Sequence, residues 1–305
     1  MNKKITKKLV LILLWIIVTA SCTTTKKDVA QSVEKRALLW ELTNGDTSIF
    51  IAGSIHIAPD EIYPLDDIYY ESLGQSDHFV MEADVTYAGT DPDFQKFVME
   101  RALLPQKDDL ANYIDKDNIE VLNEILSPFN MNFNQIRIFK PWMVTTILTE
   151  FLGQELGFYS GNGVDVHLQN VANQIELNPL YLESAESQIV MMDSNSLEYQ
   201  KFELLSLLED KNALKETFNG LMNAWISGDT EAIYKIMTSE GQDIPGSKEA
   251  LDRLLFQRNK NWLEQVKNYL ETGDNYFIVV GAGHLCGEGS LIDLLEKDGY
   301  NLNRL

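Results

Sequence analysis

Near the carboxyl end of the chain, residues 276–290 read YFIVVGAGHLCGEGS, in which five apolar residues run straight into a glycine-flanked histidine and a glycine-rich loop. A short apolar run of this kind, rich in β-branched and aromatic residues and closed by glycine, is a strand buried on both faces of a mostly parallel sheet. Near the other end, SIFIAGSIH (48–56) repeats the pattern. Each run is followed by a loop and a helix-like segment, LDDIYYESLGQS (65–76) and SLIDLLEKDG (290–299). The two strand–GxxH–loop–helix units form an internal echo. Both strands are expected in one mostly parallel sheet, where ligands collect at the carboxyl ends of the strands. His56 and His284 are therefore expected to face one crevice. Either histidine alone would read as a packed, hydrogen-bonded strand-end residue, and the matched contexts tip the reading to a shared site.

The remaining strand signals also gather at the two ends. ALLWELT, NGD and TSIFIAGSIH (37–56) read as a hairpin around an Asn-Gly-Asp turn. HFVMEAD (78–84) and PLYLE (179–183) read as short buried strands, and NLNRL (301–305) as an edge strand. From about 93 to 272 the period is helical: Pro141 opens PWMVTTILTEFLGQEL, and Ser196 stands as a cap before LEYQKFELLSLLED. The expected architecture is α/β, with a mixed central β-sheet, flanking helices and a large helical insert between the two halves of the sheet, all within one domain over 37–305.

A third strand end supplies charge. Period-two alternation sends Glu82 and Asp84 to the same face, where either caps the following loop or meets the crevice. One carboxylate and two imidazoles are a plausible donor set for a divalent transition metal ion with open water positions. In LLFQRNKNWLEQV (254–266), Leu255, Trp262 and Val266 form one helical stripe, with Arg258 and Asn259 beside it. An inward arginine needs a substrate anion or a carboxylate such as Glu82 or Glu183.

Residues 1–21 carry four lysines, a ten-residue apolar run and then small residues before Cys22. They read as a secretory signal peptide of the bacterial lipoprotein type, although Thr19 stands where leucine is usual. Cys22 would be the lipidated first residue of the mature chain, tying it to a membrane of the cell envelope, with 22–36 as a tether. A plain cleaved signal and an uncleaved anchor are the other readings. With Cys22 lipidated, Cys286 has no intramolecular partner. Removing the signal lowers the basic count from 25 to 21 against 46 acidic residues, a net charge of −25. Such a surface repels nucleic acid.

The quoted segments together resemble the TraB/GumN family, within the wider clan of Tiki-type membrane-tethered metalloproteases, erythromycin-esterase-like enzymes and haem-binding ChaN-type proteins. LLWELT with GSIH, YPL (63–65), Glu82, KPW (140–142), GVD (163–165), YLES (181–184), RNKNW (258–262) and GAGHLCGEGS (281–290) are similar to the family's blocks in the same order. The resemblance implies a metal-dependent, peptidase-like hydrolase outside the cytoplasm, acting on a peptide or another carbonyl-containing substrate. Its active centre would be His56, Glu82 and His284 as metal ligands, with Arg258 stabilising the oxyanion. Asn259 falls in the same arginine block, and Asp165 and Glu183 match outer acidic positions. Two departures are Ser184 in place of threonine and Cys286 within the last glycine loop, where it reads as a packed thiol. His78 and His167 match no motif and read as structural. A haem- or metal-binding lipoprotein without turnover, or a peptide-sequestering protein, are the other functions this scaffold allows.

Overall fold

The computed structural model describes residues 37–84, 89–238 and 244–305. The signal-type segment, Cys22 and the tether to residue 36 lie outside the described residues. The hairpin forms as expected: β1 (Leu39–Asn44) pairs antiparallel with β2 (Thr47–Ser54). After helix α1 (Asp67–Gly74) come β3 (His78–Met81), then α2 (Pro92–Ala102), α3 (Lys116–Leu126), α4 (Phe133–Ile136), α5 (Pro141–Glu155) and α6 (Val164–Gln174). Strand β4 (Pro179–Tyr181) follows, then α7 (Ala185–Asp193), α8 (Leu197–Glu209), α9 (Lys211–Ser227), α10 (Thr230–Thr238), α11 (Ser247–Leu251) and α12 (Gln257–Leu270). Strand β5 (Tyr276–Gly281), α13 (Leu291–Lys297) and β6 (Leu302–Arg304) complete the described chain.

The six strands form one mixed sheet in the order β4-β3-β5-β2-β1-β6. The pairs β4·β3, β3·β5 and β5·β2 are parallel, while β1 pairs antiparallel with both β2 and β6. The α/β class and the mixed sheet are as the sequence predicts. The stretch between the two halves is not purely helical, because it contributes β4 to the edge of the sheet. β5 occupies the centre with all six residues buried, which is why its sequence is continuously apolar rather than alternating. Phe79 of β3 and Phe277 of β5 stack across the pair at 6.2 Å, and each such fully buried side chain contributes roughly 1.5–3 kcal/mol. Among the described residues no helix is long and apolar enough to cross a membrane.

The helix starts follow the capping rules. Pro141 occupies the first turn of α5, and Ser196 accepts a hydrogen bond from the Tyr199 amide at the start of α8. Before α12 the chain passes through one wide π turn, Asp252–Phe256, a feature frequent beside functional sites.

On α8, burial pushes half-buried Glu203, hydrogen-bonded to Tyr199, up to about 8 from its ordinary 4.5. The folded chain then keeps a proton that the unfolded chain releases. Stability is full below the unfolded value and falls as pH rises towards 8. Glu203→Gln is expected to flatten that fall, shifting Tm by about 2–4 °C for each kcal/mol recovered. Thermal melts across that range check it, and identical slopes for the two proteins would contradict it.

Candidate functional site

Three neighbouring parallel strands, β3, β5 and β2, end on one edge of the sheet, and each delivers a candidate side chain there. Ser54 of β2 is in register with Gly281 of β5, and Met81 of β3 with Val279. His56, Glu82 and His284 follow these strand ends by two, one and three residues. The crevice expected from the paired units is therefore present. All three side chains line one cavity of about 110 Å³, together with Asp165, Arg258 and Gln188.

Each imidazole is held by an outer acceptor. His56 Nδ1 lies 2.7 Å from Asp165 Oδ2. Gly163 makes this approach possible, since a Cβ there would stand 2.6 Å from both Asp165 Oδ1 and the His56 carbonyl oxygen. Burial pulls the His56 pKa down, but Asp165, and then Glu82, outweigh it and leave it raised. His284 Nδ1 lies 2.7 Å from Asn259 Oδ1, and Asn259 Nδ2 donates to the Gly289 carbonyl at 2.8 Å, which fixes the amide. His284 Nε2 lies 2.9 Å from Arg258 Nη1. A guanidinium can only donate, so Nε2 accepts and the proton of His284 sits on Nδ1. Burial first, and then Arg258, push the His284 pKa down to about 3, so the ring is neutral at ordinary pH.

Arg258 is the hub. Its Nη2 bonds to Glu82 Oε2 and, at 2.6 Å, to Glu183 Oε1, while Nε bonds to Glu183 Oε1 at 3.0 Å. Nη1 also donates to the Leu254 carbonyl in the wide turn, at 3.1 Å. The guanidinium lies 4.6 Å from the Trp262 ring, which also packs on His284. Pairing of β3 with the β4 segment continues past both strands, with the Glu183 amide donating to the Glu82 carbonyl at 2.9 Å, and this places the two carboxylates side by side. One cation shared by two carboxylates drives their titrations apart. Burial alone would raise Glu82, but Arg258 foremost, then the two histidines and the Gly281 N–H, which donates to Oε1 at 2.6 Å, hold it far below the usual carboxylate range. At Glu183, burial prevails over Arg258 and the pKa is raised.

Of the inward-arginine alternatives, the structure shows carboxylates, and both of them. Asp84 departs from Glu82 and partners Tyr181. His78 pairs with Asp274 at 3.0 Å near the start of β3, and His167 meets the Tyr70 hydroxyl at 2.9 Å. Cys286 is buried, and burial pushes its thiol up to about 12. Gln188 went unnoticed in the sequence, yet its Nε2 donates to Glu183 Oε1 at 2.9 Å and lies 3.4 Å from Glu82 Oε2. The only local signal for it is a polar residue in the first turn of α7, directly after the YLES block.

The donor chemistry fits a divalent transition ion. Both imidazoles have Nδ1 committed to an outer oxygen acceptor, the pattern that orients metal-ligating histidines. A Cβ placed on Gly281 would meet His56 Nε2 at 3.2 Å, Glu82 Oε1 at 3.3 Å and the ring carbon His284 Cδ2 at 3.7 Å, so all three side chains border this backbone position. Buried Ser54 Oγ and Asp165 Oδ1 lack protein hydrogen-bond partners, and both residues line the cavity. In this arrangement, however, no group of three or more His, Cys, Asp or Glu among the described residues is spaced to hold an ion. Arg258 Nη1 also occupies the His284 Nε2 lone pair in this arrangement.

Comparison with known proteins finds several relatives of this chain. YbaP of Escherichia coli (strain K12) is 26% identical over 262 residues, covering 83% of this chain and 89% of that protein. An uncharacterised Treponema pallidum (strain Nichols) protein is 20% identical over 292 residues, covering 90% and 86% respectively. A metalloprotease TIKI homologue of Amphimedon queenslandica is 29% identical over 81 residues, 26% of this chain and 13% of that protein. No solved structure matches significantly. The sequence profile of the TraB/PrgY/gumN family matches residues 38–304, and so the chain, whose sheet, strand-end histidines and arginine hub fall wholly within that span, belongs to the TraB/PrgY/gumN family.

Proposed function

We propose that this protein is a metal-dependent hydrolase that cleaves a peptide or related carbonyl compound at the strand-end cavity. The observation that carries the proposal is the convergence of two Nδ1-anchored imidazoles and one carboxylate around Gly281. The partial likeness to a protein named as a metalloprotease homologue supports the same class. His56 and His284 through Nε2, and Glu82 through a carboxylate oxygen, are the residues that would hold the ion, which supplies a Lewis acid and an acidified water when bound.

The protein's own groups have separate tasks. Asp165 and Asn259 fix ring orientation. For His284 Nε2 to hold an ion, Arg258 would have to release its hydrogen bond to that nitrogen, while its contacts with Glu183 would keep it beside the centre. There its charge favours an oxygen that becomes negative during carbonyl attack. The raised His56 pKa means that acid competes with any ligand for this nitrogen.

The test is cleavage of a peptide panel by the full-length protein, with and without chelator. Chelation should abolish cleavage and re-addition of metal should restore it. Asp165→Asn should retain the fold while lowering the rate by about 10–100-fold, the usual effect of losing an outer partner of a ligand histidine. Chelator-resistant cleavage, or full activity in Asp165→Asn, would refute the assignment.

A further inference from the structure

The cavity has two unlike walls. The strand ends present His56, Glu82 and His284 and α12 presents Arg258, while Leu221 and Trp225 of α9, Ile233 and Met237 of α10, and Leu254 of the wide turn supply an apolar lining. Four of these five carry no polar atom able to hydrogen-bond strongly. The exception, Trp225, has its indole Nε1 committed to the Gly53 carbonyl at 2.8 Å, so the wall offers a ligand only carbon and sulfur. Trp225, Ile233 and Leu254 are buried, so this is an interior surface rather than a patch facing bulk solvent.

The charged groups of the cavity are already engaged with one another. Arg258 is shared between Glu82 and Glu183, and His56 is engaged by Asp165. A charged side chain entering along the apolar lining would lose its hydration and meet no polar partner there. An apolar one would gain dispersion contacts along a wall that a small polar ligand leaves unused. Met237, unbranched and polarisable, lets that wall adjust to more than one shape.

We infer that the Leu221–Trp225–Ile233–Met237–Leu254 wall is a specificity pocket for a large aliphatic or aromatic side chain next to the carbonyl that is attacked. The inference rests on the hydrolase reading above and names the substrate class: peptides with a bulky apolar residue at the cleaved position. Leu221, only half-buried, stands where a substitution changes the pocket without disturbing the core.

The experiment uses the full-length protein and tetrapeptide amides of alanine in which each position in turn is Gly, Leu, Phe, Asp or Lys. Binding is followed by calorimetry and cleavage by mass spectrometry. At one position, Leu and Phe should bind at least about tenfold more tightly than Gly, Asp or Lys, the discrimination an apolar pocket commonly achieves. Leu221→Trp, melting like the parent, should bring Leu to within about twofold of Gly. Leu221→Ala should move the preference towards Phe. Side-chain preference without cleavage would keep the pocket and remove the hydrolase. Cleavage without preference, or binding of no peptide in the panel, would overturn the pocket itself.

Discussion

Replacing Arg258 by methionine is expected to destabilise the fold by about 3–5 kcal/mol, the usual cost of leaving a buried charge without its partner. Here two carboxylates lose one cation. Glu82 and Glu183 have side chains only 11% and 15% exposed, and Arg258 is only 9% exposed, so solvent screens little of the loss. The methionine fills much of the same volume against Trp262, which separates the electrostatic loss from a cavity effect. Arg258→Lys should recover part of the stability, because the charge returns. One ammonium group cannot at once reach Glu82, Glu183, His284 and the Leu254 carbonyl as the guanidinium does. Urea denaturation measures both variants. A loss below about 1 kcal/mol in Arg258→Met would show that the hub is dispensable to the fold.

Gly281→Ala is expected to separate function from folding. The backbone at Gly281, with φ −53° and ψ 136°, suits alanine, so no conformational strain opposes the change. The added methyl would stand 3.2 Å from His56 Nε2 and 3.3 Å from Glu82 Oε1, tighter than ordinary contact, and would push the two groups apart. The neighbours must give by a few tenths of an ångström, less than the misplacement of about 1 Å that costs about 100-fold in rate. The expected result is a protein that melts within a few degrees of the parent and cleaves its substrate about 10-fold more slowly, short of that full cost. Undiminished cleavage by a folded Gly281→Ala protein would place the reacting atoms elsewhere.

Much of the sheet was legible because burial writes itself into short apolar runs. YFIVVG could be read as a central strand from composition alone, and the Asn-Gly-Asp turn marked the hairpin. The position of β4 at the sheet edge was not legible, since strand order depends on long-range pairing that no local pattern records. The same pairing puts Glu183 beside Glu82, so the second partner of Arg258 could be named as a candidate but not chosen over the first. The helical stripe through Leu255, Trp262 and Val266 showed that Arg258 turns inward. It could not show the wide turn at Asp252–Phe256, which contains neither glycine nor proline. Asp165 entered only through the resemblance and Asn259 first as a neighbour of the apolar stripe, and the contacts they make explain them: each holds the Nδ1 edge of one histidine. The apolar wall was invisible for a different reason. Leu221, Trp225, Ile233 and Met237 lie on helical faces that read as ordinary core, and only the packed structure shows that they border a cavity.

The central claim is that His56, Glu82 and His284 form one centre able to hold an ion. It is tested most directly by the metal stoichiometry of the folded full-length protein and of its His56→Ala and His284→Ala variants, each loaded with a divalent transition metal and freed of excess. The account predicts one ion per chain in the parent and near-complete loss in both variants, because removing one of three protein ligands destroys the site. An ion retained in full by either folded variant, or a parent chain that takes up none, would contradict it.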